Sequence, residues 1–157
     1  MNLKKIITTI SFLLLLSCGY EPIYSKKQIN NNYNFSINTI NYIGDNKINQ
    51  ILKNKLQKIL NKEKKLTELN LNLNSRVEKV VAAKDKKGNP KRFTIKTIIN
   101  LEVYESEILK SKANFEENFE YNNRSNKFDL RKYEKNIQDN LTTKLSDEII
   151  RYLNSLK

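Results

Sequence analysis

The apolar positions change period several times along the chain, and each change marks an element. Tyr33, Phe35 and Ile37 alternate with polar residues, the spacing of a half-buried strand. The alternation breaks at Ile40 and Tyr42, which predicts a bulge or an early end. Gly44 and Asp45 then open a helix, with Asp45 as its N-cap. Ile48, Ile51, Leu52, Leu56, Ile59 and Leu60 share one helical face, while Lys47, Lys53, Lys55, Lys58 and Lys62 lie elsewhere and read as a solvated face. Next, Leu69, Leu71, Leu73, Val77 and Val81 alternate with Asn70, Asn72, Asn74, Arg76 and Glu78, so one side of this strand is buried and the other wet. Residues 84–90, Lys-Asp-Lys-Lys-Gly-Asn-Pro, are a turn signal. A second long strand carries Phe93, Ile95, Ile99, Leu101 and Val103 on one face, and the chain turns again at Ser106 and Glu107. Leu109, Ala113, Phe115, Phe119 and Tyr121 form a third run, separated by Lys110, Lys112, Glu116 and Glu120. From about Asp129 a long amphipathic helix follows, with Leu130, Tyr133, Ile137, Leu141, Leu145, Ile149, Leu153 and Leu156 at three- and four-residue steps.

The order is β-α-β-β-β-α. Half-buried strands and one-faced helices combine as an α/β two-layer sandwich: a mostly antiparallel four-stranded sheet, covered on one face by two helices. The other face of the sheet is expected to be polar. Residues 33–157 form this single domain, residues 18–32 read as its N-terminus and tether, and the stretch 25–34 is polar with little to bury.

The first seventeen residues have a different character. Lys4 and Lys5 precede an eleven-residue, mainly apolar stretch from Ile6 to Leu16, the n- and h-regions of a secretory signal. As a helix it would rise only about 16 Å, roughly half a bilayer's hydrocarbon core, so it does not read as a span. The single cysteine follows at once, in Leu15-Leu16-Ser17-Cys18, an arrangement that resembles the bacterial lipobox. That resemblance implies cleavage between Ser17 and Cys18 and acylation of Cys18. Leu16 departs from it, since a smaller or β-branched residue is commoner there. Several acyl chains, each gaining about 0.8 kcal/mol per buried CH₂, would anchor the protein almost permanently. Gly19, rather than an Asp, follows the cysteine, which suggests the periplasmic side of the outer membrane.

Composition narrows the chemistry. The 157 residues hold 29 Lys+Arg, 17 Asp+Glu, one Cys, three Gly and no His. A Cys/His zinc site and a histidine-based triad are excluded, as is an intramolecular disulfide. No glycine-rich phosphate loop is present. Glu116, Glu117 and Glu120 are close in sequence, but alternation puts Glu117 on the opposite strand face from the other two, so they read as solubilising charges. No catalytic residue, metal or cofactor is expected. Removing the signal leaves 27 basic and 17 acidic residues, a charge of +10. Secretion argues against nucleic acid, leaving lipid headgroups, peptidoglycan acids and the phosphorylated sugars of lipopolysaccharide as anionic partners. The densest basic patch is the turn between the long strands: Lys84, Lys86, Lys87, Lys91 and Arg92, with Asp85 opposing. It reads either as an anion contact or as a solubilising, edge-protecting loop.

The nine residues from Leu16 to Tyr24, Leu-Ser-Cys-Gly-Tyr-Glu-Pro-Ile-Tyr, resemble the start of the alphaproteobacterial LPS-assembly lipoprotein family, LptE. There the modified Cys is followed by Gly, an aromatic, a polar residue, Pro, an aliphatic and Tyr; Cys18, Gly19, Tyr20, Pro22, Ile23 and Tyr24 match. The order of elements is similar too, though Lys and Asn replace the family's usual Arg and Ala. The resemblance implies a plug inside the LptD β-barrel that assists barrel assembly and lipopolysaccharide insertion, with no enzymatic step. By position it assigns lipopolysaccharide contact to Lys86, Lys87, Lys91 and Arg92. Two other lipoprotein readings stand beside it: a component of an intermembrane phospholipid transporter, and an anchored protein gripping peptidoglycan acids through its lysines.

Overall fold

The computed structural model describes residues 35–57, 60 and 67–156. The signal segment, the Ser17–Cys18 cleavage and lipidation site, the tether, Tyr33 and Ile59 lie outside the described residues. Four strands and two helices follow one another as β1 (Phe35–Gly44), α1 (Asn46–Leu56), β2 (Thr67–Lys84), β3 (Pro90–Glu105), β4 (Ile108–Asn122) and α2 (Lys127–Ser155). This is the β-α-β-β-β-α order expected from the alternation and periodicity.

The sheet runs β1-β2-β3-β4. The β2–β3 and β3–β4 pairs are antiparallel hairpins, whereas β1 lies parallel to β2 because α1 carries the chain back between them. The sheet is therefore mixed. The irregularity anticipated in β1 is a register shift between Ile37 and Thr39. It turns Ile40 and Tyr42 to the same side as Phe35 and Ile37, opposite Leu71 and Leu73.

Both helices lie on the face formed by the odd-numbered residues of β2, β3 and β4. Ion pairs from α2 mark that face: Glu134 holds Lys79 at 2.6 Å and Lys144 holds Glu117 at 2.5 Å. The main core joins Ile48, Leu52 and Leu56 of α1 and Leu145, Ile149 and Leu153 of α2 to Leu69, Leu71, Leu73, Ile99, Leu101 and Val103 of the sheet. A smaller cluster of Ile95, Tyr121, Leu130, Ile137 and Leu141 lies toward the β2–β3 turn. Thr142 and Ser146 are also fully buried, their hydroxyls bonded to the Gln138 and Thr142 carbonyls one turn back. They sit between the sheet-facing leucines and Asp147, which reaches Lys55 of α1 at 3.1 Å. Small side chains there let the helices lie close.

Two expectations change in three dimensions. Val81, on the apolar row of β2, is 43% exposed, and neighbouring Val80 is 55% exposed. Pairing with β1 stops at Ser75, so beyond that point β2 has no neighbour on its outer side among the described residues. The far face of the sheet is also not uniformly polar: Ile98 lies on it, flanked in register by Arg76 and Glu116, and is almost fully buried.

β1 separates from β2 at a specific lock. Gly44 has φ +98°, and its α-carbon packs on the Ser75 backbone. The buried Ser75 hydroxyl donates to Asn49 Oδ1 at 2.7 Å and lies near the Ile43 and Asp45 carbonyls. Asp45 caps α1 as expected, its Oδ1 accepting from the Lys47 and Ile48 amides at 2.9 and 3.0 Å.

Candidate functional site

The five-residue turn from Asp85 to Asn89 closes the β2–β3 hairpin. Asp85 organises it: Oδ1 accepts from the Lys87 and Asn89 amides, both at 2.8 Å, and Oδ2 accepts from the Asn89 side chain at 3.2 Å. Gly88, at φ +84°, bonds back to the Asp85 carbonyl. The Asn89 backbone bond, then its side chain, hold the Asp85 carboxyl below its ordinary range. A depressed carboxyl contributes stability that is present above the unfolded value, about 3.9, and is lost as pH falls through the lower folded value. The Lys87 and Asn89 amides should thus stay protected from pH 7 down to about 4 and lose protection only below it. Residue-resolved hydrogen exchange checks this, and loss of protection already near neutral pH would contradict it.

Asp85 is thus spent on the turn and does not face the lysines. Lys84, Lys86, Lys87 and Lys91 are exposed and have no ion pair among the described residues. Arg92 differs. The β3–β4 register brings Glu120 beside it, and the two pair at 2.5 Å, so Asp85 is not the only acid opposing the patch. Arg92 is therefore a partly satisfied member of the group.

The tertiary structure adds cations that lie far away in sequence. Asn123 donates through its amide to the Lys91 carbonyl at 2.8 Å and through its side chain to the Pro90 carbonyl at 2.9 Å. These bonds hold the β4–α2 connection against the hairpin and bring Arg124 and Lys127 to the same end of the sheet. Arg124 stacks over the Tyr133 ring at 4.1 Å. The exposed Phe128 follows at the start of α2, which Asn126 caps. Basic residues soon after an aromatic β4 terminus were the available sequence signal, but the register was needed to place them.

The face away from the helices is rich in amides. In register, Ile43, Asn74, Asn100 and Asn114 form one row across the four strands, and Asn41, Asn72, Glu102 and Lys112 form the next. A half-open groove of 580 Å³ runs over these rows. Asn114 donates to Asn100 at 2.6 Å, and Glu102 accepts from Lys112 at 2.6 Å and from the Tyr104 hydroxyl at 2.8 Å. The Lys112 bond, then the Tyr104 bond, lower the Glu102 carboxyl, and Glu102 in turn raises both partners. The three glutamates of β4 separate as alternation required: Glu116 pairs with Lys96 on this face, while Glu117 meets Lys144 on the helix side. Among the described residues no group of acidic or cysteine side chains is arranged to hold a metal. Nor is any helix among them long and apolar enough to cross a membrane.

Two helices over a four-stranded mixed sheet is a fold shared with solved lipoproteins. It is similar to rare lipoprotein B from Shewanella oneidensis, with a TM-score of 0.57 and 12% identity over 75% of this chain and 95% of that one. A minor lipoprotein from Acinetobacter baumannii matches at TM-score 0.57 and 10% identity, over 78% of this chain and 92% of that one. Lipoprotein B from Nitrosomonas europaea matches at TM-score 0.52 and 10% identity, over 77% and 84% respectively. At such identities the likeness is one of fold. The sequence matches no protein-family model and none of the curated proteins.

Proposed function

We propose that this chain is an outer-membrane lipoprotein that sits as a plug in the LptD β-barrel, helps it assemble, and assists lipopolysaccharide insertion into the outer leaflet. The observation that carries the reading is the end of the sheet where Lys84, Lys86, Lys87 and Lys91 stand unpaired beside Arg124 and Lys127. The fold shared with three lipoproteins and the LptE-like start of the chain, from Cys18 to Tyr24, support it. The amide-rich face suits the polar, water-filled interior of an outer-membrane barrel. In this mechanism acyl chains on Cys18 hold the domain at the inner leaflet of the outer membrane. The sheet occupies the lumen, and Lys86, Lys87, Lys91 and Arg92 screen phosphates of the passing glycolipid. No covalent step is involved.

Purification of the tagged protein from membranes in mild detergent, with mass spectrometry of what accompanies it, tests the reading. A single large β-barrel in near-equal amount supports it; phospholipid-transporter components, or no barrel, overturn it. Changing Lys86, Lys87, Lys91 and Arg92 together to serine should weaken lipopolysaccharide binding at least tenfold at low salt, about 1.4 kcal/mol. The difference should shrink as salt rises, because exposed charges are screened. Fold and barrel association should persist, since the replaced side chains are exposed and only Arg92 gives up an ion pair. Unchanged binding across a salt titration would remove the tip from the mechanism.

A further inference from the structure

We propose that the outer edge of β2 from Arg76 to Val81 is a strand-addition site. Its occupant is an extended segment of another protein, β-branched along its length and acidic at the end beside Lys84, Lys86 and Lys87. The inference stands whether or not the barrel reading does.

The edge exists because β1 stops halfway along β2. At Gly44 the chain leaves the sheet, and the Asp45 amide makes the last bond on this side, to the Ser75 carbonyl at 3.0 Å. The Ser75 backbone therefore points outward. In a strand alternate residues point the same way, so Val77, Lys79 and Val81 also turn their N–H and C=O groups to the open side. On that side these groups meet no partner among the described residues. Glu78 and Val80 face β3 instead. Register with β3 is regular from Arg76–Ile98 to Val81–Phe93 and shifts between Val81 and Ala83, which limits the usable edge to six residues.

Exposed edges are normally guarded by charged side chains. On the outer edge of β4, Lys110, Lys112, Glu116, Glu117 and Glu120 are each held in an ion pair. On β2 the charges are held in the same way. Lys79 is drawn to Glu134 and lies over the Phe93 ring at 4.3 Å, and Arg76 is paired with Glu78 at 3.0 Å. Val80 and Val81 are left half exposed. A backbone ladder with apolar side chains on both faces is what an added strand requires. The unpaired lysines just beyond it select an acidic end.

The test uses the full chain in detergent and a capped peptide, Thr-Val-Thr-Val-Thr-Glu-Glu, followed by residue-resolved hydrogen exchange. The peptide should slow the Val77, Lys79 and Val81 amides at least about tenfold while leaving Glu78 and Val80, already bonded to β3, unchanged. Lys79→Pro removes an outward donor that β3 does not use, and should abolish the slowing. Reversing Lys84, Lys86 and Lys87 to Glu leaves the edge intact, so it should lose this peptide and accept one ending in two lysines. No slowing at the three amides overturns the proposal, as does slowing along β4 instead. Slowing that grows with protein concentration without peptide assigns the edge to a second copy and overturns the acidic occupant. Binding indifferent to the charge reversal does the same.

Discussion

Gly44→Ala is expected to destabilise the domain by at least about 3 kcal/mol. A methyl group at Gly44 would stand 1.9 Å from the Ser75 carbonyl oxygen, and that neighbour is backbone in the second strand of the sheet, so it has little room to yield. The residue also sits at φ +98°, where a side chain is strained regardless of space. Relief requires the end of β1 to lift from β2, which disturbs the Ser75–Asn49 bond and the Asp45 cap of α1 together. Gly88→Ala is the control. Gly88 has a similar φ of +84° but open space around it, so only the conformational cost of about 1 to 2 kcal/mol remains. Urea denaturation of both variants checks the difference. Equal losses would show that the contact with Ser75 has no weight.

Leu145→Ala should cost about 3 to 5 kcal/mol, the range for deleting most of a fully buried leucine and leaving a cavity. Leu145 is wholly inaccessible and belongs to the cluster that ties α1, α2 and three strands of the sheet together. For a domain whose whole stability is typically about 5 to 15 kcal/mol, that loss is a large fraction. Val81→Ala provides the contrast. Its side chain is 43% exposed, so the change should cost under about 1 kcal/mol despite lying on the same apolar row as Leu73. A Leu145 variant no less stable than the Val81 variant would mean that the packing is centred elsewhere.

Much of the fold was legible because each element repeats a simple period. The alternation Leu69, Leu71, Leu73 and the spacing Leu141, Leu145, Ile149, Leu153 lead directly to a half-buried strand and a one-faced helix. Even the break at Ile40 and Tyr42 pointed to the bulge now found after Ile37. Period reports which face of an element is apolar, but not whether another element covers it. Val81 continues the row of β2 and Ile98 interrupts the polar face of β3, and the order of neighbours settled the burial of each. Thr142 and Ser146 were missed for a related reason. Small hydroxyl residues carry no apolar signal, yet they can be buried once their own helix satisfies the hydroxyl.

The candidate site divides in the same way. Lys84, Lys86, Lys87 and Lys91 were visible as a basic run because they sit within or just beside one tight turn, and local composition describes a turn well. The pairing of Arg92 with Glu120 and the arrival of Arg124 and Lys127 depend on residues about thirty positions apart meeting across β3 and β4. The sequence by itself determined the elements, their order and the local charge of the hairpin, since these follow from spacing along one chain. Only the tertiary structure decided that β1 runs parallel, that it stops at Ser75 and leaves the edge of β2 open, and which cations remain unpaired. Those outcomes come from register between distant strands, to which no short-range pattern is bound.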